Sequence, residues 1–144
     1  MNFRYSLLLC VIPMASQVFA ADSFYGTWKM RSDAKAGTTS QTMTLEPAAD
    51  GVKVTTVIDF GNGTKMSMNY LTKLDDEEVP VYSDGKEVMK IRAKRTGPNS
   101  YEGSTSGPGG TGTFKTTVSA DGRTMTTEGT MGTSLMQSTF DRVN

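Results

Sequence analysis

From Ala48 to Gly122 the chain runs no more than about a dozen residues without meeting a turn former. These stand at Ala48-Ala49-Asp50-Gly51, Gly61-Asn62-Gly63, Leu74-Asp75-Asp76, Ser83-Asp84-Gly85, Gly97-Pro98-Asn99, Ser106 to Gly110 and Asp121-Gly122. Such residues tolerate positive φ or preset a bend, which is what tight hairpins require. The segments between them have the length of strands and are too short for a helical bundle.

Within the segments, side chains alternate. Met66, Met68 and Tyr70 share one face of Lys65–Tyr70, opposite Lys65, Ser67 and Asn69. Met89, Ile91 and Ala93 oppose Lys90, Arg92 and Lys94, and Val52, Val54 and Ile58 line up in the same way. A period of two gives each strand one dry and one wet face. Eight to ten strands are expected, around 24–32, 39–47, 51–59, 63–73, 78–83, 86–96, 100–106, 111–119, 123–130 and 134–142. Consecutive amphipathic strands joined by short turns form a meander, and closing a meander removes its exposed edges. The reading is therefore all-β: a single antiparallel up-and-down β-barrel of eight to ten strands, with a two-sheet β-sandwich as the alternative. The glycine-rich stretch from Ser104 to Gly112 reads as a mobile loop.

Residues 1–20 have the features of an export signal. Arg4 supplies the positive region, Leu7 to Ile12 the apolar run, and Val18-Phe19-Ala20 the small-residue pattern at a cleavage site. Cleavage after Ala20 would leave a barrel domain over residues 21–144, periplasmic or secreted. It would also remove Cys10, the single cysteine, so the mature chain would hold itself together without disulfides. The apolar run is shorter than a membrane span, and no span is expected in the mature form. Fifteen basic residues balance fifteen acidic ones, which gives no electrostatic case for nucleic acid as a partner.

At the start of the first strand stands Phe24-Tyr25-Gly26-Thr27-Trp28-Lys29-Met30. This Gly-x-Trp resembles the opening motif of lipocalins and fatty-acid-binding proteins, and of small exported bacterial proteins that begin Gly-Thr-Trp-Lys. The resemblance implies a barrel whose base is closed by Gly26 and Trp28, with an arginine from a late strand over the indole. Arg142 is the residue placed to take that part, through a cation–π contact. The chain departs from fatty-acid-binding proteins at residues 32–40, which are too short and polar for their helix–turn–helix lid.

Composition removes much of catalysis. There is no histidine, so neither a Ser-His-Asp triad nor an ordinary zinc site can be assembled. No nucleophile–base pair stands out, and no enzyme activity or cofactor is expected. Asp75-Asp76-Glu77-Glu78 reads as a solvated acidic turn, and Lys90, Arg92, Lys94 and Arg95 as an outward basic stripe. Of ten methionines, eight lie beyond the signal. Thioethers are adaptable apolar fillers and also soft ligands for Cu(I). Met43, Val54, Met66, Met68, Tyr70, Met89 and Ile91 are the expected lining of an interior pocket, and small inward residues such as Gly103 and Thr116 favour a hollow one. The favoured function is binding of a small apolar or amphipathic ligand. The alternatives are a protein-interaction module, working through loops such as Ser104–Gly112, and a Cu(I) carrier built on Met66 and Met68.

Overall fold

The computed structural model describes residues 22–31 and 39–143, so the expectations for the export signal and most of those for residues 32–40 lie outside the described residues. Ten strands form one closed antiparallel barrel: β1 (Gly26–Met30), β2 (Ser40–Ala48), β3 (Gly51–Asp59), β4 (Lys65–Thr72), β5 (Asp75–Ser83), β6 (Lys86–Gly97), β7 (Ser100–Gly107), β8 (Gly110–Val118), β9 (Thr124–Met131) and β10 (Ser134–Val143). Each strand pairs with its sequence neighbours, and β1 pairs with β10 from Thr27↔Val143 to Met30↔Phe140 to close the ring. The barrel and not the sandwich is the outcome. The β4–β5 seam is the thinnest, with a single paired position at Asn69↔Tyr82.

The glycine and Asp-Gly signals fall where hairpins turn, and several carry the required backbone. Asp84 and Gly85 both have positive φ, at 49° and 74°, the geometry that matches the twist of paired strands. Two expectations are corrected. Ser104–Gly112 is no mobile loop: β7 runs to Gly107 and β8 begins at Gly110, leaving a two-residue turn at Pro108-Gly109. Thr and Ser alternate there, and strand pairing satisfies their backbone as well as any apolar segment's. The acidic run is also not a turn, because β5 begins at Asp75. Asp75 and Glu78 pair with Lys94 and Arg92, around an irregularity where Asp76 has φ 72°. Opposite charges across β5 and β6 make that pairing favourable; Lys90 Nζ lies 3.4 Å from Glu78.

The inward face of β7, β8 and β9 carries a row in which Phe114 pairs with Gly103 on one side and Gly129 on the other. A Cβ at Gly129 would run into the Thr113 carbonyl, and one at Gly103 into the Arg92 carbonyl and Phe114 Cζ. The strands approach so closely here that only hydrogen fits, and the Phe114 ring covers the space the glycines leave. We therefore expect Gly129→Ala to destabilise the protein by about 1–3 kcal/mol. Gly109→Ala, which meets open space, should stay within about 0.5 kcal/mol of the parent. Urea unfolding midpoints of the two variants check this, and equal midpoints would remove the close-approach explanation.

Candidate functional site

The two ends of the barrel differ. At one end lie the β2–β3, β4–β5, β6–β7 and β8–β9 turns, and across it runs the segment Asp22–Tyr25. Phe24 and Trp28 are buried there with Leu45, Val52, Val54, Tyr101, Val118, Met125 and Phe140. Side chains of the base take three successive carbonyls of the segment. Arg142 Nη2 donates to Ser23 O at 2.6 Å, Trp28 Nε1 to Phe24 O at 2.9 Å, and Arg142 Nη1 to Tyr25 O at 2.6 Å. Arg142 Nε donates to Gly122 O at 2.6 Å, and its guanidinium stands 4.2 Å from the Trp28 ring centroid. Gly26 (φ 131°) makes this possible, since a Cβ there would lie 2.6 Å from Arg142 Nη1. Ser23 bonds Asn99, Arg95 pairs with Asp22 and lies over Phe24, and the Phe24 and Tyr101 rings meet edge to face at 4.9 Å. This end is closed.

Above that floor is a cavity of about 260 Å³, just under the usual range for small-molecule sites. Phe140, Tyr101 and Thr116 border it at the floor side, and Gln41, Met131 and Met136 towards the mouth. Of the seven residues expected as lining, Met43, Met68, Tyr70, Met89 and Ile91 border the cavity and Val54 and Met66 do not. Val54 shares the inward face but sits at the level of the base, packed with Leu45 and Trp28. Met66 is the second residue of β4, beside the Gly61–Gly63 turn at the mouth end, so β4 brings only Met68 of the pair to the cavity.

The rest of the lining comes largely from the second half of the chain. Thr105, Thr116, Thr127, Ser138 and Phe114 contribute beside Tyr101 and Phe140. The Thr116 and Thr127 hydroxyls are bonded at 2.9 Å across β8 and β9, beside Tyr101, which pairs with Thr116 across β7 and β8. Burial, with neighbouring Tyr101 adding to it, pushes the Tyr70 phenol far above its ordinary range; burial raises Tyr101 too. Both therefore face the cavity as neutral hydroxyls. Around the mouth, Phe60, Met131, Leu135 and Met136 are exposed, Leu135 at 88%. The described residues hold no group of three His, Cys, Asp or Glu side chains placed to take a metal ion.

No protein-family model and no curated protein matches the chain. Solved structures do. A Schistosoma mansoni fatty acid binding protein in complex with arachidonic acid aligns over 85% of this chain and 97% of its own, at 19% identity and TM-score 0.58. The REP1-NXSQ fatty acid transporter aligns over 86% and 98%, at 13% identity and TM-score 0.60. The fluorescent protein UnaG aligns over 86% and 100%, at 15% identity and TM-score 0.58. The chain shares their fold. In this chain one end of the barrel is sealed by Trp28 and Arg142, while the inward side chains of the upper half leave space between them. At these identities the likeness extends to the barrel and not to any particular ligand.

Proposed function

We propose that this protein is an exported carrier whose barrel holds one small apolar or amphipathic molecule, with no catalytic role. The observation that carries this reading is a closed barrel sealed at one end, with a cavity bordered by flexible thioethers and aromatics. Methionines adapt their shape to a guest better than branched side chains do. The exposed apolar residues at the mouth would give such a guest a surface to cross. Three structurally similar proteins include a fatty acid binding protein and a fatty acid transporter, which supports an apolar guest here. Export rests on the features of residues 1–20; cleavage after Ala20 would leave intact the segment from Asp22 that seals the base.

The methionines provide the test. With methyl-labelled methionine, the purified protein titrated with octanol and with octanoate should show shifts at Met43, Met68, Met89, Met131 and Met136, which border the cavity. Met30 and Met66, which do not, should stay in place. If neither amphiphile moves the first set, the carrier reading fails.

A further inference from the structure

We propose that the cavity selects uncharged amphiphiles, of the class of medium-chain alcohols and ketones, over ionised carboxylic acids. This rests on the carrier reading and names the guest's chemistry. Among the described residues that border the cavity, none carries a charge: the polar groups are hydroxyls of Thr, Ser and Tyr and the Gln41 amide. The cations in phase with the inward face, Arg95 of β6 and Arg142 of β10, both lie at the base below the floor, where Arg95 pairs with Asp22 over Phe24. There Arg142 is held by three of its five N–H donors, on the Ser23, Tyr25 and Gly122 carbonyls, with its face on Trp28. An acid entering this space would meet no counter-charge. Burying an unpaired carboxylate is so unfavourable that the group takes up a proton instead.

A neutral hydroxyl or carbonyl fits the same wall. The bonded pair Thr116 and Thr127 has one hydroxyl proton between the two oxygens, which leaves a second donor and free lone pairs for a guest. Tyr70 and Tyr101 remain protonated through the working pH range and can donate. Val81, Ile91 and Phe140 provide apolar wall for the chain of the guest. Size narrows the class further. At about 30 Å³ for a water-sized group, the space takes roughly nine non-hydrogen atoms, the size of octanol.

The test compares octanol with octanoate on the purified protein, by calorimetry and by the same methionine methyl signals. At about pH 8 a free carboxylic acid is ionised, and octanol is expected to bind at least about 30-fold more tightly. Between about pH 8 and pH 5 the affinity for octanoate should rise roughly tenfold per unit as the acid protonates, while that for octanol stays level. If octanoate binds at pH 8 as tightly as octanol, the selectivity is overturned and the carrier reading stands. If neither binds, both fall together.

Discussion

Replacing Trp28 with alanine should destabilise the protein by roughly 4 kcal/mol, read as a lowered urea midpoint in far-UV circular dichroism. The indole is fully buried, at 0% exposure, and truncating a buried Trp to Ala removes both transfer free energy and packing, at about 3–5 kcal/mol. Two further losses follow. The Phe24 carbonyl forfeits its donor, and an unsatisfied buried acceptor costs about 1–3 kcal/mol. The Arg142 guanidinium loses the ring beneath it. Against a typical total of about 5–15 kcal/mol, such a loss leaves little margin. Trp28→Phe, which keeps most of the bulk but not the N–H, should lose about half as much. Arg142→Met releases the Ser23 and Tyr25 carbonyls from the same segment, so the double variant should lose less than the sum of the singles. Full additivity would mean that Trp28 and Arg142 do not hold the segment together, and a loss below about 1 kcal/mol for Trp28→Ala would mean the base does not depend on the indole.

The base was legible through a resemblance: a Gly-x-Trp at the head of the first strand implied an arginine from a late strand over the indole, which is where Arg142 lies. Gly26 and Trp28 stand two residues apart at the head of the first strand, and Arg142 is one of three polar or charged residues that follow or flank Phe140 in the last. The strands were legible because alternation and turn chemistry act over neighbouring residues. Depth was not. A period of two says which way Val54 and Met66 point, not how far along the barrel axis they sit, and that depends on the pairing register of distant strands. The second half of the lining was hidden for another reason. Thr116 reads as inward, but Thr105, Thr127 and Ser138 have the composition of a solvent face, and Thr-rich strands carry almost the same polarity on both sides. Only the partners across the sheet, such as Thr116 opposite Thr127, reveal that one of those faces borders a cavity. The acidic run misled in the same way: Asp75 to Glu78 looks like a turn until the basic residues of β6 are placed beside it.

Filling the cavity should abolish binding without unfolding the barrel. Ser138 on β10 and Thr105 on β7 both border the space, and phenylalanine at each adds about five and four non-hydrogen atoms, close to the roughly nine that the space takes. The Ser138→Phe/Thr105→Phe variant is therefore expected to bind octanol at least about 100-fold more weakly, a change of about 2.7 kcal/mol. Its stability should change far less than that of Trp28→Ala. The new rings bury apolar area and fill space, which offsets the strain of imperfect fit, typically about 1–3 kcal/mol. Met66→Leu, at a position off the cavity, should leave binding unchanged within about twofold. Calorimetric titration with octanol, alongside urea unfolding, measures both quantities on the same samples. A folded double variant that still binds octanol as the parent does would move the site out of the barrel. Lost binding in a folded barrel would instead place the guest among the threonines of β7 to β10, where the hydroxyls and the methionines face each other.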